Sequence, residues 1–265
     1  AGEGVEADDV LDLLTHLVDK SLVVAEEHAG TERYRLLETL RQYGWERLVA
    51  AGATDALRER HAAYYLALGQ AVEAETLTLS PYADRLRLEF DNLRAALRWL
   101  LEREDGERSC QLASVLSPLW QFLGYLSEGR ARMAAILAFG GLRRELRGRV
   151  VRASCWLAWL QGDYQAARSL WVEDLAIRRE LGDQPGAAFA LNWLGVVARD
   201  QGDHQTALGA LEESLAIYQV LGDRQGVADV LARLGSVAHA LGDLARARTL
   251  YEESLDLRRD LGDQN

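Results

Sequence analysis

The chain has 265 residues, 49% of them hydrophobic, with three prolines and a formal net charge of −11. That apolar fraction is ample for a core or a long helical stack. The acid surplus repels phosphate backbones and argues against nucleic acid as a direct partner of most of the surface. No apolar run reaches membrane-spanning length and no signal peptide is visible, so a soluble, cytoplasmic protein without a membrane partner is expected. Cys110 and Cys155 are too few for a disulfide framework and read as reduced core thiols.

Residues 8–19 predict an amphipathic helix with an acidic start. Two short β-like runs follow, Leu22-Val23-Val24-Ala25 and Tyr34-Arg35-Leu36-Leu37, turning at His28-Ala29-Gly30. A helix over 38–51 completes the pattern helix, hairpin, helix, which is the end of a winged-helix fold. Asp8, Asp9, Asp12 and Asp19 give the first helix the wrong sign for reading DNA. Arg33, Arg35, Arg41 and Arg47 add positive charge later, but carboxylates lie between them. A structural spacer is expected here.

Helices are predicted over 57–75 and 82–103, joined through Ser80-Pro81. Leu93, Ala96-Leu97 and Leu100 form the buried stripe of the second. This pair bridges to the rest of the chain and ends at Glu104-Asp105-Gly106.

From there the sequence repeats itself. Gly162-Asp163, Gly202-Asp203 and Gly242-Asp243 lie forty residues apart, and Gly182-Asp183, Gly222-Asp223 and Gly262-Asp263 fall halfway between them. Glycine supplies the left-handed conformation that ends a helix. Aspartate then accepts from the free N–H groups that open the next one. Two helices per forty residues, stacked side by side, make a helical solenoid. Leu194-Gly195 and Leu234-Gly235 place glycine in mid-helix, at a cost of about 1 kcal/mol against alanine, which points to close helix approach. Ala207 and Ala247 sit where the partner helix would cross.

Leu194-Gly195, Gly202-Asp203, Ala207 and Ser214 together resemble the tetratricopeptide repeat. The period here is longer than that repeat's usual length of about 34 residues, so each helix is nearly one turn longer. An earlier, degenerate copy is visible at Gly124-Tyr125-Leu126-Ser127-Glu128-Gly129, with Trp120 near the end of its first helix. The resemblance implies an all-α, right-handed α-solenoid of helix pairs, carrying a small N-terminal winged-helix-like α/β remnant. The expected domains are 1–52 for the remnant, 53–106 for the bridging pair and 107–265 for the array. Within the array the degenerate repeat takes 107–145 and the regular repeats 146–265.

A wider resemblance covers about 8–130. LLTHLVDKSLVV, RYRLLETLRQYGWERL, RHAAYYLAL and EFDNLRAALRWLLER look like the segment after the nucleotide-binding module in bacterial STAND-type ATPase regulators, including LuxR- and SARP-type transcriptional regulators. In that family a winged-helix-like piece joins the ATPase to a tetratricopeptide array that senses or recruits. The resemblance implies ATP and magnesium in an upstream module and no cofactor here. No G-x-x-x-x-G-K-[ST] occurs, and Lys20-Ser21 precedes a hairpin, so it is no phosphate loop.

In such an array the first helix of each pair lines the concave face. The repeat pattern projects Arg149, Arg152, Trp156 and Trp159 there, then Phe189, Asn192, Val196, Arg199 and Asp200, then Asp229, Ala232, Ser236 and His239. The degenerate repeat would add Gln111, Ser114, Gln121 and Phe122. Rings beside arginines suit capture of a peptide, protein or small anionic ligand, because the rings supply area and guanidinium groups fork onto carboxylates. The competing reading has the tryptophans filling gaps between helices and the arginines solvated.

Catalysis is not expected. The five histidines show no ligand spacing, no G-x-S-x-G occurs, and the recurring Glu212-Glu213 and Glu252-Glu253 read as solvated helix faces. No polar capping helix follows the last repeat, so an apolar flank should be open at that end. Either the array continues in a longer chain or two copies meet there.

Overall fold

The computed structural model describes residues 9–28, 31–73 and 86–262. The expected linker Ser80-Pro81, the turn residues Ala29-Gly30 and Asp263 lie outside the described residues. The chain divides into two compact units, Ala1–His61 and Ala62–Asn265, with the division falling inside a helix.

The first unit holds α1 (Asp9–Asp19), β1 (Val23–His28), β2 (Thr31–Leu36), α2 (Glu38–Ala50) and the start of α3 (Thr54–Glu73). The strands pair antiparallel, with Val23 opposite Leu36 and Ala25 opposite Tyr34. This is the expected helix, hairpin, helix. Neither α1 nor α2 contains a buried residue. Val23 is buried, while Leu11, Leu13, Trp45 and Val49 are exposed.

The second unit continues α3 and adds α4 (Phe90–Glu102), α5 (Gly106–Phe122) and α6 (Leu126–Leu137). The regular array follows as α7 (Arg144–Leu160), α8 (Tyr164–Glu180), α9 (Gln184–Asp200), α10 (His204–Leu221), α11 (Arg224–Ala240) and α12 (Leu244–Asp260). These helices form an α-solenoid. Its core is a chain of seams. Leu93, Leu97, Leu116, Trp120 and Ile136 fill the first, Trp171, Ile177 and Val197 the second, and Leu211, Val230 and Val237 the third.

The Gly-Asp punctuation works as the residue types require. Gly162, Gly202 and Gly242 have φ of 75°, 78° and 82°, where a side chain would be strained. Asp163, Asp183, Asp203, Asp223 and Asp243 each accept from the backbone N–H three residues on, at 2.8–3.2 Å. Asp105 does the same for α5 at 3.0 Å.

Helix approach sets the mid-helix glycines. A Cβ on Gly195 would stand 2.5 Å from Leu211 Cγ, and one on Gly235 3.0 Å from the Tyr251 ring. Ala207 and Ala247 are buried at the crossing. Ser214 Oγ donates to the Ala188 carbonyl and Ser254 Oγ to the Ala228 carbonyl, both at 2.7 Å. Each buried hydroxyl thus ties the second helix of a pair to the first.

Candidate functional site

The forty-residue period puts Arg152, Asn192 and Ala232 at one position of the first helices α7, α9 and α11. Ala153, Trp193 and Arg233 follow one residue later, then Trp156, Val196 and Ser236, then Trp159, Arg199 and His239. Five aromatic rings meet between the first two of these helices and α8. Trp156 lies 4.2 Å from Trp193 between centroids, Trp159 5.4 Å from Trp193, and Trp156 6.2 Å from Trp159. Trp171 of α8 stacks on Trp193 at 6.2 Å, and Phe189 stands 5.9 Å from Trp171. Trp171 is fully buried; the other four keep partial access to solvent. Most of the pairs are edge-on or tilted, the geometry aromatic quadrupoles favour, worth about 0.5–1.5 kcal/mol per pair beyond burial.

The arginines around this cluster fall into two kinds. Arg152 donates to Asp174 at 2.8 and 3.0 Å and to the Gly186 carbonyl at 3.1 Å, with its guanidinium 4.8 Å from the Phe189 centroid. Asp174 is completely buried and also accepts from Arg178 at 3.1 Å. Arg199 donates to Asp200 at 2.7 Å and to Ser236 Oγ at 3.0 Å. The Trp159 indole N–H donates to the same Asp200 at 3.1 Å. These guanidinium groups hold the array together. Arg233 is of the second kind: it lies over Trp193, 4.2 Å from the ring centroid. Burial holds its pKa below the usual arginine range, and the Asp229 charge acts in the opposite sense.

The structure therefore distributes the expected site residues unevenly. Trp156, Trp159 and Phe189 come together in the aromatic cluster, with Arg152 stacked on Phe189. Arg199 and Ser236 bond to each other across α9 and α11. Asp229 is held by Arg258 at 2.5 Å. Arg149 and His239 are exposed on the same helices. Val196 is 5% exposed and Asn192 3% exposed, so both sit in the packed interior rather than on an open face. Val196 is one of the many buried residues of α9, a helix whose residues are largely small and apolar.

Two residues outside the expected set are prominent, Trp193 and Arg233. Each follows by one residue a position that the repeat had projected, and their forty-residue spacing was the available signal. Among the described residues no group of three or more His, Cys, Asp and Glu is placed to hold a metal ion. Both cysteines are buried, and burial pushes the Cys110 thiol up to about 11.

Residues 157–219 and 186–260 match the family model described as Tetratricopeptide repeat, so this stretch of the chain carries repeats of that kind. The wider chain is similar to proteins of mycobacteria. A protein of Mycobacterium tuberculosis named "Putative HTH-type transcriptional regulator" is 38% identical over 210 residues, covering 74% of this chain and 23% of its own length. A protein of Mycobacterium bovis with the same name matches equally. The chain thus spans about a quarter of the curated relatives it matches. Among solved structures, BtubC from P. vanneervenii has a TM-score of 0.60 at 21% identity, covering 83% of this chain and 93% of that one. A STAND protein with a tetratricopeptide repeat sensor from Pyrococcus horikoshii has a TM-score of 0.55 at 15% identity, covering 92% of this chain and 45% of that one. These two likenesses show the fold. Among the described residues no helix is long and apolar enough to cross a membrane.

Proposed function

We propose that this chain is the non-catalytic sensor and interaction arm of a STAND-like, LuxR-type transcriptional regulator, and that the concave face lined by α7, α9 and α11 binds a peptide or protein partner. The observation that carries this reading is the aromatic cluster of Trp156, Trp159, Phe189 and Trp193. Its rings are packed firmly yet keep a partly open side, and arginines lie against them. Rigid rings offer contact area at low entropic cost. The 38% identity to mycobacterial proteins named as HTH-type regulators supports the regulatory setting. In this reading ATP and magnesium act in an upstream nucleotide-binding module, this chain needs no cofactor and contacts no nucleic acid or membrane itself, and the protein works in the cytoplasm. Partner binding would tilt or order the superhelix, and the winged-helix-like unit would relay that change.

The test is panning of a linear peptide library against the chain. Enriched peptides should bind the parent chain and lose binding to an Ala232→Glu variant that crowds the face while keeping the same Tm. Failure to enrich any peptide, or equal binding to both proteins, would contradict the proposal.

A second reading is favoured by one observation. Tyr251 and Leu255 of α12 are 42% and 45% exposed, whereas Leu211, the repeat equivalent of Tyr251 on α10, is fully buried by the following pair. This flank would serve self-association. Sedimentation of the chain and of a Leu255→Asp variant tests it: a dimer that the substitution dissociates supports it, and a monomer in both cases rules it out.

A further inference from the structure

The forty-residue period allows one junction of the array to be compared with the next, position by position. The pair α7–α8 is tied to the pair α9–α10 by polar contacts at both ends of α9. Arg152 donates to the Gly186 carbonyl at 3.1 Å, and Arg178 to Asp183 at 3.3 Å. The Trp159 indole N–H donates to Asp200 at 3.1 Å. Between the second helices, Arg168 reaches Asp203 at 3.2 Å and Gln201 at 3.3 Å, and Arg179 pairs with Glu213. The preceding junction carries the same outer tie: Arg130 donates to Asp163 at 2.8 Å and to Gln161 at 2.9 Å.

At the junction between α9–α10 and α11–α12 each of these ties has lost a member in the sequence. Asn192 stands for Arg152, and its side-chain oxygen has no hydrogen-bond partner. Tyr218 stands for Arg178, Leu208 for Arg168 and Gln219 for Arg179, so those positions offer no cation to Asp223, Asp243 or Glu253. Ala240 stands for Asp200. In their place Arg199 donates to Ser236 at 3.0 Å, Arg246 lies 3.6 Å from Glu212, and Arg233 rests on Trp193. The rest of this junction is the apolar seam of Leu211, Val230 and Val237.

Apolar burial has no preferred direction, whereas a hydrogen bond weakens steeply when it is bent. A seam held mainly by packing therefore stays closed while its two sides rock or slide, and a seam pinned at both ends does not. Exposed ion pairs add little to stability, but Asp174, which holds Arg152, is completely buried. The first junction thus has a clamp out of reach of water, and the second has none at the equivalent Ser214, which bonds only within its own pair.

We propose that the α10–α11 boundary is the flexing point of the array: α7 to α10 move as one body, and α11–α12 swing against it on the apolar seam. The swing would set how far the α11 end of the first-helix face stands from the aromatic cluster. The device holds whether or not that face takes a ligand.

The experiment measures distances between spin labels in the full chain. Ala176, Ala216 and Asp256 are exposed and lie at one repeat position of α8, α10 and α12. The native Cys110 and Cys155 are buried and stay unlabelled. Labels on Ala176→Cys and Ala216→Cys should give a narrow distribution. Labels on Ala216→Cys and Asp256→Cys should give one about twice as wide. A third pair, Gln225→Cys with Asp256→Cys, reports within α11–α12 and should be narrow. Equal widths for the first two pairs would overturn the proposal, and a broad third pair would do so too, because the last helix would then be loose by itself. Adding Leu208→Arg and Gln219→Arg restores donors opposite Asp243 and Glu253 and should narrow the second distribution toward the first; Gln219→Arg alone serves if the double variant does not fold. An unchanged width in a folded variant would overturn the assignment of the swing to the missing ties.

Discussion

Asp174 occupies, in the first regular repeat, the position that Ser214 holds in the second. Both are completely buried on the second helix of their pair. Ser214 makes one hydrogen bond to the Ala188 carbonyl. Asp174 instead joins Arg152 of α7 to Arg178 of its own helix. A neutral tie has been exchanged for an ionic one at the same seam. Removing one partner of a buried ion pair strands the others, so Asp174→Ala should destabilise the array by about 3 kcal/mol or more. Ser214→Ala, which deletes a single neutral bond, should cost about 0.5–1.5 kcal/mol. Urea denaturation of both variants compares them, and equal losses would show that the ion cluster contributes nothing special.

The two mid-helix glycines should respond differently to alanine. At Gly195 the new Cβ meets Leu211 at 2.5 Å, inside a closed seam. Overpacking of that kind costs about 1–3 kcal/mol and outweighs the gain of about 1 kcal/mol in helix propensity. At Gly235 the contact is 3.0 Å to Tyr251, a ring that is partly exposed and can yield. Gly195→Ala should therefore lower Tm while Gly235→Ala leaves it level or raises it. Thermal melts decide the order, and a reversed order would contradict the packing argument.

Acid should weaken the seam between α6 and α8. Hydrogen bonding to the Arg130 guanidinium, with the Ala166 backbone N–H adding to it, lowers the pKa of Asp163 from its ordinary 3.8. A carboxylate depressed in the folded state contributes stability that is complete above its unfolded pKa and is lost as pH falls through the folded one. The contribution of Asp163 should accordingly fade below pH 3.8. Asp163→Asn should flatten the pH dependence of stability in that range and leave its shape at neutral pH unchanged. Denaturation curves across acid pH for both proteins measure the difference.

The repeat architecture was legible because its signals are local. Gly162-Asp163 and its five counterparts announce each turn within two residues, and Leu194-Gly195 announces close approach within one helix. The partners of the site residues were not legible in the same way. Arg152 meets Asp174, twenty-two residues on, only because α7 and α8 pack side by side. Arg199 reaches Ser236 across thirty-seven residues for the same reason. The sequence displays the arginines but not the carboxylates that occupy them. Hence Arg233, whose donors remain unmatched by any described residue, stands out only after the helices are packed.

The central claim is that ligands dock on the first helices of the array. Photo-cross-linking of library-enriched peptides to the chain, followed by mapping of the adducts, tests it most directly. Adducts should fall on α7, α9 and α11, around Trp193 and Arg233. Adducts confined to α8, α10 and α12 would place the ligand on the opposite side and contradict the account.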